Sequence, residues 1–508
     1  MILSRKSLSG ISANNLQTPP ENLFQLPEKV LQFGTGVLLR GLPDYFIDKA
    51  NKQGVFNGRV VVIKSTSQGG TDAFAQQDNL FTQCIRGLEG ETKIEENIIN
   101  ASISRVLSAR EQWNEILQCA ANPDMEIVIS NTTEVGITLV KEDKIDSHPP
   151  VSFPGKLLAF LYRRFKAFNG DSAKGMIIVP TELIVDNGKK LKAIVLELAR
   201  LNAVEPAFIK WLESANHFCN SLVDRIVPGK LPAAEQEKFQ QEFQYNDDLM
   251  IMSESYSLWA IEAKDEKVKE KLSFYKTDPG VVIAPDINKF RELKLRLLNG
   301  THTLTCALAH LAGCITVKEA MDDEAVSAYV ASLMINEIAP AIVSSNLSLN
   351  EAKTFAERVR DRFRNPFIEH KWLSISVQYS SKMKMRNVPI LLQHYNRNET
   401  VPQLMALGFA AYILFMNCSK MGEKFVGSAR GIEYAIQDDH AGWFAERNDI
   451  SGDELVHAVL SDTQFLEHDL KRLPGFAEAV ADNYKQLSSG EVKQAIKNCL
   501  SENVVATR

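Results

Sequence analysis

Four short and nearly unbroken apolar runs restrict the fold of this chain more than any other feature. They are "KVLQF" (29–33), "RVVVIK" (59–64), "EIVIS" (126–130) and "GMIIVP" (175–180). A strand wetted on one face alternates polar and apolar residues. A strand that is apolar on both faces is covered on both, as in a parallel sheet packed between helices. Segments 42–52, 109–120 and 153–168 lie between these runs and have helical periodicity. Such alternation predicts right-handed crossovers and a doubly wound α/β sheet. Two further apolar stretches, "SYSLWAIEA" (255–263) and "GVVIAPDI" (280–287), close this half. Beyond 288 the texture changes. Segments 289–312, 322–340, 350–363, 401–417, 452–459 and 475–484 have helical period, and strand-like runs are few. The expectation is a doubly wound domain over 1–286 and a mostly α-helical domain over 287–508, since 508 residues exceed what one core serves.

The totals exclude several classes of function. A net charge of −6 and a pI near 6.0 leave no electrostatic footprint for nucleic acid or an anionic membrane. No stretch approaches 18 uninterrupted apolar residues, so no membrane span is expected. The N-terminal segment has no apolar core of the kind a signal peptide needs. Seven scattered cysteines without a CxxC pair predict reduced thiols, no structural zinc and a cytoplasmic protein. The expected partner is a small molecule, and the expected state a monomer or small homo-oligomer.

"VLQFGTGVLLRG" (30–41) reads as buried strand, glycine turn and helix start. Gly34 permits the tight turn, and Gly36 lets backbone N–H groups approach a pyrophosphate. The third glycine of the usual GxGxxG is Leu39 here. Placed after the first buried strand, the turn predicts a Rossmann-type dinucleotide site formed by Gln32, Phe33, Gly34, Thr35, Gly36, Val37 and Leu38. The second strand runs into "IKSTSQGG" with no acid for a ribose diol, which leaves NAD and NADP both open on the residues alone.

The second candidate site is "KLRLLNGTH" (294–302), which places a base, an amide and an imidazole in an otherwise apolar helix. At ~100° per residue, His302 lies ~80° and Asn299 ~140° from Lys294, so all three fit one face. A partly desolvated lysine can exchange a proton with an alcohol oxygen, an amide can donate to a developing alkoxide, and an imidazole can orient the substrate. Gly300 is expected to leave room for a ligand. The plainer alternative is a solvated face. The apolar "LTCALAHLAG" that follows argues against it, because a buried lysine without a task is costly. "QDDH" (437–440) has metal-ligand residue types, but adjacent loop residues rarely share an ion, and a solvated turn is expected.

Lys294-x4-Asn299-x2-His302 resembles the catalytic signature of the polyol-specific long-chain dehydrogenases, the mannitol dehydrogenase family. The resemblance extends along most of the chain. It includes "GTGVLLRG" (34–41), "QQDNLFT" (76–82), "SNTTEVGI" (130–137), "NSLVDRIVP" (220–228), "SLWAIEA" (257–263), "RFRNPFIEH" (362–370) and "SSK" (380–382). It implies an extended Rossmann domain, a helical C-terminal domain, a cleft active site without metal, and NAD as coenzyme. Carried over by position, it implies Lys294 as general acid/base and Asn299 as oxyanion donor. His302, Asp224 and Lys382 would line the substrate site, joined by Asn187.

The chain departs from the polyol enzymes at "PTELIVDNG" (180–188), where Leu183 stands in place of a second amide donor. Thr181 or Asn187 could stand in for that donor, and Asn187 also reads as the cap of the following helix. This version, with "SKMKMR" (381–386), is similar to the tagaturonate reductase branch, which implies reduction of a keto-hexuronate with NADH. A carboxylate-bearing substrate calls for a cation, and Arg364, Lys384 and Arg386 are the candidates, with Arg364 the expected one. Sister activities, fructuronate reduction or mannitol 2-oxidation, would use the same scaffold. A non-catalytic dinucleotide sensor is the remaining alternative.

Overall fold

The computed structural model describes residues 1–11, 15–65, 70–132 and 136–506. It divides into two compact units, Met1–Arg86 with Lys93–Ile287, and Gly87–Thr92 with Asn288–Arg508.

The first unit is built on a six-stranded sheet. Its strands are β1 (Glu28–Phe33), β2 (Arg59–Lys64), β3 (Ile103–Ser108), β4 (Ile127–Ser130), β5 (Ile177–Pro180) and β6 (His217–Phe218). All neighbours pair in parallel, in the order β3-β2-β1-β4-β5-β6. The apolar runs account for this. Leu31, Phe33, Val61, Ile63, Val128 and Ile178 enter a core with helices α3 (Phe153–Ala167) and α4 (Asn187–Leu201). The intervening Val30, Val60, Val62, Ile129 and Val179 enter a second core with Phe46, Ile47 and Trp259. Each strand is therefore sandwiched, and neither face can carry polar side chains cheaply.

The strand order reverses at β1, whose neighbours β2 and β4 lead to opposite edges. In such sheets the crevice at the carboxyl ends of the two strands flanking the reversal is where ligands bind. Phe33 pairs with Ser130 there, and the glycine turn follows Phe33 directly. Two smaller three-stranded sheets complete the unit. One holds Phe81–Glu89, Thr92–Asn100 and Ile251–Glu254; the other holds Ser221–Asp224, Leu258–Glu262 and Val281–Ala284.

The second unit is mostly helical around α8 (Gln403–Met416), nearly all of whose residues are buried. It packs against α6 (Thr301–Leu311) and α9 (Phe476–Ser488). Also in this unit is α7 (Leu349–Phe363), opened by a reciprocal Ser348–Glu351 capping box. An antiparallel sheet of Ser419–Met421, Lys424–Ala429 and Ile432–Ile436 was not expected; its strands are short and mostly exposed, so they lack an apolar signature. Among the described residues no helix is long and apolar enough to cross a membrane. The seven cysteines are free and buried.

The helix expected over 289–312 is not uniform. Asn288–Glu292 is α-helical, Leu293–Gly300 is a π-helix, and α6 continues from Thr301. Two more π segments, Leu333–Ile338 and Met383–Asn387, pack against the first. Wide turns of this kind are rare and concentrate at functional sites.

Candidate active site

In the first unit the glycine turn sits at the open end of β1. Gly34 has φ +124°, a region that side-chain-bearing residues rarely adopt. A Cβ there would lie 2.8 Å from the Asn131 carbonyl oxygen and 2.9 Å from a Leu39 methyl. Gly36 is the N-cap of α1 (Val37–Gly41), and a Cβ there would meet none of the described residues within 4 Å. The turn is thus tight beneath and open above, the shape a phosphate-bearing ligand needs. The helix it opens is only five residues long and breaks at Leu42, before α2 (Pro43–Lys52). Backbone N–H groups, more than a long helix dipole, are what this turn offers an anion.

Gln32 and Phe33 do not line that open side. Phe33 packs on Phe153 at 5.0 Å, and the Gln32 amide donates to Asp44 at 3.2 Å and to the Gly34 carbonyl at 3.4 Å. Both side chains are fully buried and brace the turn from below. Val37 and Leu38 are half-buried and pack partly on the core. Thr35 is half-buried in the turn itself.

Asp44 is a buried acid that the sequence reading passed over. Burial pushes its pKa up to about 7, against the opposing Gln32 hydrogen bond and nearby Arg40. The sign follows from its elevation above the unfolded value of 3.8. The folded state holds the proton more tightly, so stability falls as pH rises from about 4 through 7. Asp44→Asn is expected to remove this dependence, gaining stability on the order of 1–3 kcal/mol at pH 8 and little at pH 5. Urea midpoints at the two pH values check it, and equal shifts at both would exclude the ionisation of Asp44 as the cause.

Across the crevice the segment after β5 is tied to the end of β4. Glu182 accepts from the Ser130 hydroxyl (3.1 Å), the Thr132 N–H (2.9 Å) and the Thr132 hydroxyl (3.0 Å). Thr181 donates to the Ser130 carbonyl at 2.7 Å and accepts from the Asn131 amide at 3.0 Å. Asn187 is more occupied still. Its amide donates to the carbonyls of Pro180, Glu182 and Ser221 at 3.0–3.1 Å, and its oxygen accepts from Gly188 and Ser221 at 2.9 Å. Every polar atom of Asn187 is committed to the scaffold, so it has no hydrogen bond left for a substrate. Nor is it the helix cap: α4 begins at Asn187, and Asp186 precedes it at φ 55°. Leu183 is 59% exposed, and the side-chain donors of Thr181 and Asn187 are both given to backbone carbonyls. Asp224 is buried at the end of its strand, opposite Leu258. The adjacent Arg225 donates to the Glu254 and Gly41 carbonyls at 3.0 and 2.8 Å.

In the second unit the π-helix changes how the expected trio is arranged. Its i→i+5 bonding stacks residues five apart, and Lys294 and Asn299 are five apart. Lys294, Leu295 and Asn299 are its half-buried residues, whereas Leu293, Arg296, Leu297, Leu298 and Gly300 are buried. The lysine and the amide therefore share one partly open face, closer in azimuth than an α-helix allows. Gly300 points the other way. A Cβ there would press on Ile390 at 3.0 Å and on the Asn387 amide at 3.3 Å, so the glycine allows close helix packing and does not make room for a ligand. The Asn387 amide donates to the Gly300 carbonyl at 2.9 Å.

His302 follows, stacked on Phe363 at 4.0 Å and 3°, with His370 edge-on at 5.3 Å. Burial holds its pKa well below the usual imidazole range, and His370, Arg362, Arg386 and Lys382 push the same way. It is a neutral imidazole whose Nε2 has no hydrogen-bond partner among the described residues. Lys382 donates to the Ile375 carbonyl at 2.7 Å, and its pKa is lowered by burial and then by Arg386. The "QDDH" loop is a turn with Gln437 and Asp439 exposed, as expected, and it also holds this lysine's helix. Asp438 accepts from the Ser380 N–H at 2.7 Å, and Asp439 from the Gln378 amide at 2.9 Å. Arg364, by contrast, is taken up by Asp361 at 2.5 Å and Glu91 at 3.1 Å.

This pairing of a glycine-turn sheet with a Lys–Asn–His helix corresponds to two family models. The mannitol dehydrogenase Rossmann domain matches residues 28–273, and the mannitol dehydrogenase C-terminal domain matches 286–488. The chain belongs to the mannitol dehydrogenase family. Altronate oxidoreductases of Escherichia coli O7:K1 and Shigella flexneri are each 37% identical to it over 483 residues, covering 93% of this chain and 97% of theirs. Among solved structures, the Pseudomonas fluorescens mannitol 2-dehydrogenase ternary complex with NAD and D-mannitol aligns with a TM-score of 0.69 at 22% identity, covering 99% of this chain and all of that one. A D-sorbitol dehydrogenase in substrate-free form aligns with a TM-score of 0.76 at 20% identity, covering 98% and 100%. Both share the family fold. The "SNTTEVGI" and "IKSTSQGG" motifs fall partly outside the described residues, at 133–135 and 66–69. Two features of this family member escaped sequence reasoning, the Glu182 clamp and the π-helix. Ser130, Thr132 and Glu182 could have been noticed as hydrogen-bonding types at two neighbouring strand ends, but no residue pattern announced the extra residue per turn.

Proposed function

We propose that this member of the mannitol dehydrogenase family catalyses the reversible NADH-dependent reduction of D-tagaturonate to D-altronate, a step of hexuronate breakdown. The observation that carries the reading is the placement of Lys294 and Asn299 on one half-open face of a π-turn, with a neutral His302 following. The similarity to curated altronate oxidoreductases supports the choice of substrate.

The turn at Gly34–Gly36 fits a dinucleotide: a Cβ at Gly34 would strike the chain, while the space over Gly36 is open. Thr35, Val37 and the turn's N–H groups would hold it. Bound NADH supplies the hydride that the carbonyl carbon takes up. The Lys294 ammonium then gives its proton to the resulting alkoxide oxygen, and in the reverse direction the amine takes it back. The Asn299 amide donates to the same oxygen and stabilises the charge while it exists. A neutral His302 keeps one ring nitrogen able to accept from a substrate hydroxyl, which an imidazolium could not do. Asp224 and Lys382 complete the binding set in this reading, whereas Asn187 and Arg364 serve the scaffold.

Side-by-side assays with NADH and tagaturonate, fructuronate or fructose test the proposal. Tagaturonate is expected to lead in kcat/KM by at least about tenfold. A lead by fructuronate or fructose would overturn the substrate assignment, and NADH binding without any turnover would favour the sensor.

A further inference from the structure

A uronate brings a carboxylate, and of the three cations singled out in the sequence the structure leaves one for it. Arg364 lies between Asp361 and Glu91, and Lys384 pairs with Glu467 at 3.1 Å. The nearby Arg296 is paired as well, to Glu292 at 3.0 Å. Arg386 differs. Its Nη1 donates to the Thr303 hydroxyl at 3.1 Å, and among the described residues it pairs with no carboxylate. Burial lowers its pKa, and no neighbouring anion offsets that. Its surroundings add to the imbalance, since Lys382 lies close enough for Arg386 to lower its pKa as a like charge. A half-buried guanidinium without a carboxylate partner has its charge available for an anion that arrives from outside.

The position of Arg386 suits that role. Thr303 follows His302 directly, and its hydroxyl donates to the Asn299 carbonyl at 2.8 Å. The guanidinium is therefore tied to the turn that carries Asn299 and His302. Its own backbone is tied too, because Arg296 Nη1 donates to the carbonyls of Met385 and Arg386 at 2.8 and 3.0 Å. These bonds join the π segments Leu293–Gly300 and Met383–Asn387 into one piece, so a charge on one keeps a set distance from the reacting groups on the other. We propose that Arg386 grips the substrate carboxylate and thereby sets the preference for a keto-uronate over the neutral ketose. The inference rests on the uronate reading above.

Steady-state kinetics of Arg386→Gln on tagaturonate and on D-tagatose, which carries a hydroxymethyl group in place of the carboxylate, tests it. The expected result is a tagaturonate KM raised about 30-fold or more with kcat within about threefold, and tagatose kinetics unchanged. An unchanged tagaturonate KM, or equal losses on both sugars, would overturn the role of Arg386 while leaving the uronate reading intact. A wild-type enzyme that reduces tagatose and not tagaturonate would overturn that reading and this inference with it. Should the glutamine variant not fold, Arg386→Lys decides. It keeps the charge and loses the fork, so the tagaturonate KM should rise about fivefold with tagatose unaffected, and no rise would overturn the proposal.

Discussion

Replacing Lys294 with alanine is expected to lower the rate of the chemical step about 10³-fold while leaving NADH affinity unchanged. The half-open face of the π-turn offers one group able to deliver a proton beside the Asn299 amide, and alanine removes it without altering the helix backbone. Single-turnover oxidation of NADH by tagaturonate measures the step directly, free of product release. Small primary amines added to the variant should restore part of the rate, a response that a merely structural lysine would not give. A chemical step within tenfold of wild type would remove Lys294 from the mechanism.

The second large effect is expected at the glycine turn. Gly34→Ala places a methyl group 2.8 Å from the Asn131 carbonyl oxygen, on a backbone at φ +124°. Both the clash and the strain must be relieved by moving the turn, at a cost of roughly 2–4 kcal/mol. The expected result is a thermal midpoint lower by several degrees and an NADH affinity weakened at least about tenfold. Gly36→Ala separates the two causes. Its methyl meets no atom of the described residues within 4 Å, so stability should change by less than about 0.5 kcal/mol while NADH binding still weakens. Fluorescence titration of NADH on both variants checks this, and a folded Gly36→Ala protein that binds NADH as wild type does would place the coenzyme elsewhere.

The strands that were legible in the sequence are those buried on both faces, because double burial leaves a continuous apolar run. Val60–Ile63 and Ile127–Ile129 could not be mistaken. β3 was not foreseen, and the reason is its place in the sheet. Ile103–Ser108 is an edge strand with a single partner, and its Ser104 and Arg105 are half-exposed. The Thr92–Asn100 strand and the sheet of Ser419–Ile436 were missed for a similar cause, since partly wet strands mix polar and apolar residues as loops do, whereas Phe81–Glu89 is buried and hidden by its own Thr82, Gln83 and Arg86. The site residues divide in the same way. Lys294, Asn299 and His302 stood out because their types are costly in an apolar helix. Asn187 and Arg364 stood out for types that suit a ligand equally well, and only their partners identify them as scaffold: five hydrogen bonds for the amide, two carboxylates for the guanidinium.

What the amino-acid order determined by itself is the kind of protein this is: a parallel sheet with a glycine turn on its first strand, then helices, one of them bearing a lysine, an amide and an imidazole. Local burial and backbone freedom are enough for that, because each is written in a few consecutive residues. The tertiary structure alone decided the rest. Whether a turn takes five residues or four depends on what packs around it, and whether a cation is spent or available depends on which acid the fold brings beside it. Those are relations between distant segments, such as Arg296 with Met385, Arg364 with Glu91 and Thr303 with Arg386, and no single stretch of sequence contains them.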